Sequence, residues 1–279
     1  MPSDLELRHH IGALETLAGV IKSTRTLAAI SARQFGQSLQ TVDAYARVTS
    51  MGLAALPWVP DGAPLTNSPN AACGLLIFGA QRGLCGRFHQ DILEQAMARI
   101  GALENVRVVV VGQRLGDDMA EAGIAPEASI AAPASGAGLI ETIQALLQVL
   151  IRWHGQVSQA TMFHVVQGSA LEATALLPVS WPMQEAAWPG HSLPYVAAPQ
   201  EALHLFLQER LFIVLLRATI HACAAEAMAR WRAMQAAQDH LDEQLDRLRN
   251  KARTLRQEII TDELLDILSG YTVTFGSGS

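Results

Sequence analysis

The sequence predicts an α/β fold with long helices: an antiparallel two-helix coiled coil formed by the N- and C-terminal helices, plus a small doubly wound α/β domain inserted between them. Three observations carry this. Apolar residues at both chain ends recur at alternating spacings of four and three, the seam of a left-handed coiled coil. Proline is absent from 3–56, and both proline and glycine are absent from 200–269. Between these stretches, short apolar or β-branched runs alternate with helix-like segments, as in a parallel sheet covered on both faces. The chain therefore divides into an N-terminal coiled-coil helix (1–57), an α/β globular domain (70–198) and a C-terminal coiled-coil helix (199–270).

Ser3-Asp4-Leu5-Glu6 fits a capping box at the start of the first helix. Its seam runs through Leu7, Ile11, Leu14, Ala18, Ile21, Ala28, Ala32, Phe35, Leu39, Val42, Ala46, Leu53 and Leu56, interrupted only by Arg25 and Thr49. Gly12, Gly19 and Gly36 each weaken a helix by up to about 1 kcal/mol relative to Ala, so a partner helix must supply the stability. The C-terminal helix begins apolar almost all round, 203–216, which suits a segment buried on several sides. Its seam continues through Ile220, Ala224, Ala227, Trp231, Met234, Leu241, Leu245, Leu248, Ala252, Leu255 and Ile259. At about 1.5 Å per residue, a helix over most of this span would be on the order of 100 Å long. A domain of this size cannot enclose such a rod, so much of it must meet something else.

In the middle section, strands are expected at 75–78, 106–111 and 161–167, with a weaker one at 175–179. Helices are expected at 88–100, 113–122 and 139–153. The Pro-rich stretches 57–69 and 181–199 suit hinges.

Composition excludes several function classes. With a net charge of −6, the chain of 279 residues has no overall attraction for nucleic acid. Cys73, Cys85 and Cys223 are scattered, without disulfide or zinc spacing, and are read as reduced thiols. Asp4, Glu6, Arg8 and His9 interrupt any leader-like apolar core. The most apolar run, 211–216, is short of the roughly 20 residues a membrane span needs. A cytoplasmic protein is expected.

The stretch 74–88, GLLIFGAQRGLCGRF, has the strand–glycine–helix layout of a phosphate loop. It lacks the Lys-Ser/Thr of a P-loop and the glycine spacing of a dinucleotide fingerprint. Its glycines are read as shaping a sharp strand-to-helix turn. Cys85, with His89 four residues on, is read as a turn thiol and not as a nucleophile. His9-His10 are adjacent and point apart on a helix; the other histidines lack ligand-like spacing and are read as structural or surface residues. Asp117-Asp118 is placed near a helix start, where acids favour the dipole. No catalytic residue, cofactor or metal site is assigned.

Three motifs in order give the chain a resemblance to the gamma subunits of F-type ATP synthases. Gln81-Arg82-Gly83-Leu84-Cys85-Gly86 resembles the family's Asp-Arg-Gly-Leu-Cys-Gly. The run from Ala225-Glu226 through Arg230-Trp231 and Ala233-Met234 to Ala237 and Asp239 resembles its Ser-Glu-x-x-x-Arg-Met-x-Ala-Met-x-x-Ala-x-Asp. Arg256, Gln257, Ile260, Thr261, Glu263 and Leu264 match Arg-Gln-x-x-Ile-Thr-x-Glu-Leu. In the N-terminal helix, Lys22 and an Ala pair match a further motif, whereas its two methionines and second lysine are missing. Trp231 stands for a methionine and Ala225 for a serine. These departures mark a divergent branch, an alternative or sodium-translocating type; the ion itself is set by other subunits.

The resemblance implies a central rotor shaft with no catalytic residue of its own. It couples ion flow through the membrane c-ring to ATP synthesis or hydrolysis in the alpha/beta head. The implied partners are the alpha and beta subunits, the epsilon subunit and the c-ring, at the cytoplasmic face of the bacterial inner membrane. Contacts with the head would come from Arg256, Gln257, Thr261, Glu263, Arg230 and Lys22. Contacts with epsilon or the ring would come from Arg82, Gly83, Leu84, Cys85, Gly86 and Arg87. Two other readings compete: an α/β nucleotide-binding enzyme with a coiled-coil arm, and a structural coiled-coil adaptor.

Overall fold

The computed structural model describes residues 4–54, 72–153, 156–166, 168, 170–177 and 199–275. Ser3 of the expected capping box and the hinges at 57–69 and 181–198 lie outside these residues. The chain forms two compact units, 1–26 with 232–279, and 27–231. Helices α1 (Asp4–Ala54) and α5 (Pro199–Phe275) contribute to both.

In the smaller unit, α1 and α5 run antiparallel. Arg249 bonds Glu15 at 2.6 Å, and Arg25 donates to Gln235 at 2.8 Å, so rising numbers on one helix meet falling numbers on the other. The expected seam is the buried one: Leu7, Ile21, Met234, Leu241 and Leu245 are each less than 10% exposed. Arg25, an interruption in the apolar series, is thus accommodated by a polar partner across the seam. Burial at each seam position supplies roughly 1.5–3 kcal/mol when complete. Further along α5 the seam opens: Leu255 is half-buried, while Ile259, Ile260, Leu264 and Leu265 are 42–58% exposed.

The larger unit is built on a five-stranded sheet. Its strands are β1 (Ala72–Phe78), β2 (Val106–Val111), β3 (Ala128–Ile130), β4 (Val157–Val165) and β5 (Leu171–Leu177), in the order β3-β2-β1-β4-β5. The first four are parallel to one another; β5 pairs antiparallel with β4. The sheet is therefore mixed. The expected fourth strand is longer and begins at Leu171, and β3 was not foreseen. The reason is connection length. Parallel crossovers need a dozen or more residues, whereas only residues 166–170 separate β4 from β5, and Gly168 among them has φ +72°. Such a connection allows only a hairpin.

Helices α2 (Phe88–Gly101), α3 (Gln113–Glu121) and α4 (Leu139–Trp153) cover the sheet. Alternate residues of β1 serve opposite faces. Leu76 and Phe78 pack in one cluster with Ile143, Leu146 and Trp153 of α4 and Leu215, Ala218 and Ala222 of α5. Leu75 and Ile77 pack in another with Phe88 and Ile92 of α2 and Leu115 and Met119 of α3. With both faces covered, the inner strands read as continuous apolar runs.

In this unit too, α1 packs on α5. Phe35 and Val42 join Ile213, Ile220 and Cys223, and Leu53 joins Leu203. At Gly52 a Cβ would lie 2.4 Å from the Phe206 ring, so glycine permits that approach. Thr49, the second interruption of the seam, is 5% exposed and donates its hydroxyl proton to the Tyr45 carbonyl. An 18-residue window of α5 is apolar enough to cross a bilayer by composition, but 56% of it is buried within the chain, as in a core helix.

Candidate functional site

The turn after β1 lies where the sheet order reverses, between β2 and β4. In doubly wound sheets this is the crevice where ligands bind. Here α5 closes it. The Glu226 carboxylate accepts hydrogen bonds from the backbone N–H of Gln81 at 2.9 Å and of Arg82 at 3.2 Å. Arg230, one turn further on, donates to the carbonyls of Arg82 and Gly83, both at 3.2 Å, and to Glu226 itself. Glu226 is 5% exposed. The backbone donors that a phosphate would use are therefore taken by a carboxylate of the same chain. Two sequence motifs about 145 residues apart meet as donor and acceptor.

Gln81 extends this joint. Its side-chain oxygen accepts from the backbone N–H of Gln113 at 3.1 Å and of Ala132 at 2.7 Å. Gln81 thus satisfies an orphan donor at the α3 N-terminus and ties in the segment after β3. Gly112, just before α3, has φ +120°, and a Cβ there would lie 2.7 Å from the carbonyl oxygens of Gly79 and Ala80. Only glycine fits.

The tip of the turn is strained. Leu84 has φ +63°, the one non-glycine positive φ among the described residues, followed by Gly86 at +61°. A left-handed conformation costs a branched residue about 1–2 kcal/mol. The conformation nevertheless holds Leu84 in solvent, 62% exposed. An apolar side chain displayed by a strained backbone suits a contact surface.

Cys85 points inward, 3% exposed, with its Sγ 3.6 Å from the Arg82 carbonyl and 4.0 Å from His89 Nδ1. Burial, and then the Glu226 charge, push its thiol pKa up against the opposing pull of Arg230. Such a thiol stays protonated at neutral pH and is a poor nucleophile, in line with its reading as a turn residue.

The remaining predicted site residues are distributed as follows. Arg82, Gly83, Gly86 and Arg87 are exposed, and Arg87 pairs with Asp91 at 3.7 Å. Lys22, Arg256, Gln257, Thr261 and Glu263 are exposed on α1 and α5 within the smaller unit. Thr261 donates to the Gln257 carbonyl at 2.8 Å. Arg230, grouped with them by resemblance, makes its hydrogen bonds within this chain to the turn and to Glu226. Glu226 was legible as part of a motif, but its role as acceptor for the turn carried no signal in sequence. Asp118 is a correction: it lies within α3 and not at its start, is 8% exposed, and pairs with Arg114 at 2.9 Å. Among the described residues, no three His, Cys, Asp or Glu side chains converge on a metal position.

The ATP synthase family profile matches residues 3–273. The ATP synthase gamma chain of Ruegeria pomeroyi is 26% identical, covering 97% of this chain and 99% of that one. That of Granulibacter bethesdensis is 27% identical with the same coverage of each. Among solved structures, a chain of the Euglena gracilis mitochondrial ATP synthase OSCP/F1/c-ring assembly superposes with a TM-score of 0.68. It is 14% identical, and the match covers 98% of this chain and 95% of that one. A chain of the rotor from the same enzyme superposes with a TM-score of 0.62, at 14% identity, over 92% and 98%. These likenesses establish a shared fold.

Proposed function

The chain belongs to the ATP synthase gamma-chain family and is the central rotor shaft of that machine; from this premise we propose how its parts act. It is part of a membrane-associated complex, with the alpha/beta head and the c-ring as partners. We assign the cytoplasmic face of a bacterial inner membrane and an epsilon subunit at the foot. Lys22, Arg256, Gln257, Thr261 and Glu263 make the polar contacts with the head. The exposed Ile259, Ile260, Leu264 and Leu265 supply apolar surface beside them. Because the shaft is asymmetric, each beta subunit meets a different face, and the contacts it makes bias it to a different state.

Arg82, Gly83, Leu84, Gly86 and Arg87 form the foot contact, with Cys85 anchoring the turn beneath them. Arg230 is assigned to this turn and not to the head, because its guanidinium already bonds two carbonyls and Glu226. Glu226 and Arg230 then act as the joint that passes torque between α5 and the α/β domain. The nucleotide-binding alternative is disfavoured by the same geometry, since Glu226 occupies the donors of the turn.

The observation that carries the rotor reading is the family match along almost the whole chain. Co-expression with alpha, beta and epsilon subunits tests it. Copurification of all four, with ATP-driven rotation of a probe on this chain, is expected. A chain that purifies alone from cells making the other subunits contradicts the reading.

A further inference from the structure

Within the larger unit, the β4–β5 hairpin, α1 and α5 enclose a cleft of about 610 Å³. Its wall differs from the apolar contacts that join the sheet to its covering helices. From α5 come Arg210, Arg217 and His221, at spacings that place them on one helix face. From α1 come Asp43 and Arg47, one turn apart. From the strands come His164 and Glu172, which are direct partners in the β4–β5 register.

Arg217 bonds Asp43 at 2.8 Å. The rings of His164 and His221 lie 6.0 Å apart, tilted by 53°. His164 is 8% exposed, and its Nδ1 is buried without a hydrogen-bond partner. An orphaned buried polar atom is destabilising and calls for an explanation in a native interior.

We propose that this cleft binds a phosphate-type oxyanion, either inorganic phosphate or the phosphoryl group of a nucleotide. The proposal is independent of the rotor reading. Arg47 is exposed and Arg217 meets Asp43, so guanidinium donors line the cleft beside the two histidines. The planar guanidinium fork matches tetrahedral oxyanions in geometry as well as charge. A neutral imidazole offers one N–H and one lone pair. Hydrogen phosphate both donates and accepts, so it can partner either nitrogen of His164. A metal cation is the opposite case, since the arginines repel it. Burial, His221 and Arg217 lower the His164 pKa to about 4, and burial and Arg217 lower that of His221 against the pull of Asp43 and Glu172. An anion beside Arg217 offsets that repulsion, so ligand binding and histidine protonation are linked.

The test is a histidine-resolved NMR titration of the full chain at constant ionic strength with inorganic phosphate, ADP, adenosine and chloride. The His164 and His221 signals are expected to move saturably with phosphate, with ADP, or with both, and the His164 midpoint to rise above about 4. Response to ADP alone narrows the ligand to a nucleotide; response to phosphate alone narrows it to the free ion. Arg47 is exposed, so Arg47→Ala should leave the melting temperature unchanged. It should weaken binding about tenfold, the loss of one charge-assisted bond. Absence of saturation at millimolar phosphate and ADP overturns the proposal. An equal response to adenosine or chloride, or binding unaltered in Arg47→Ala, also overturns it.

Discussion

Glu226→Ala removes the acceptor that holds the turn after β1. Two backbone N–H groups, those of Gln81 and Arg82, lose their partner. Arg230, whose side chain is 17% exposed, keeps its carbonyl contacts but loses its counter-ion. Hydrogen bonds to a charged group contribute roughly 1.5–3 kcal/mol each, and breaking a buried ion pair by truncating one partner costs about 3–5 kcal/mol. These figures overlap, so the total is on the order of 4 kcal/mol. It should act locally, because the β1 ladder to β2 and β4 is untouched. The assay is amide hydrogen exchange on the full chain. The Gln81 and Arg82 amides should lose about two to three decades of protection, the equivalent of roughly 3–4 kcal/mol, while Leu76 and Ile77 keep theirs. Glu226→Gln retains one acceptor and should fall between. In a double-mutant cycle with Arg230→Ala the effects should be sub-additive, since each variant already breaks the shared pair. Unchanged exchange at Gln81 and Arg82 in Glu226→Ala, or strict additivity in the cycle, would refute the joint.

The other predictions concern strain, pH, the head contact and the helix itself. Leu84→Gly relieves the positive φ and should raise stability by about 1 kcal/mol, while weakening the contact proposed for the foot; thermal melts and pull-down against the proposed epsilon subunit and the ring read the two effects separately. The His164 pKa is lowered to about 4 from 6.5, so the unfolded chain binds more protons between these values. Stability is complete above about pH 6.5 and falls as pH drops towards 4, by on the order of 3 kcal/mol from this group; urea unfolding of His164→Gln should show a shallower decline over that window. Arg256→Ala with Gln257→Ala should reduce ATPase coupling in the assembled complex at an unchanged melting temperature, because both side chains are exposed. A Cβ at Gly19 meets nothing within 4 Å, so Gly19→Ala should stabilise α1 by about 0.5–1 kcal/mol, seen as a higher urea midpoint.

Much of this molecule was legible from local pattern alone. The heptad series anticipated which residues of α1 and α5 are buried, because a helical seam repeats along one chain and needs no knowledge of the partner. The strands 75–78 and 106–111 were evident because burial on both faces leaves an unbroken apolar run. The turn at Gln81–Gly86 lacks the residue types of a phosphate loop, and that lack is visible in the sequence itself. β3 escaped notice because three residues, Ala128–Ile130, are too few to show a period. The direction of β5 escaped because it depends on the length of a connection, and not on the composition of the strand.

What the amino-acid order determined by itself is the periodic part: two long helices, an alternating α/β middle section and the motifs that mark the family. Only the tertiary structure decided what those motifs touch. Glu226 and Arg230 meet Gln81, Arg82 and Gly83, and His164 meets His221, across separations of 57 residues or more. Hydrogen bonds and electrostatic fields act over a few ångströms of space, whatever the distance along the chain. A pattern repeated along the chain can therefore announce a helix or a strand, but the partner of a single buried charge becomes known only when the chain has closed around it.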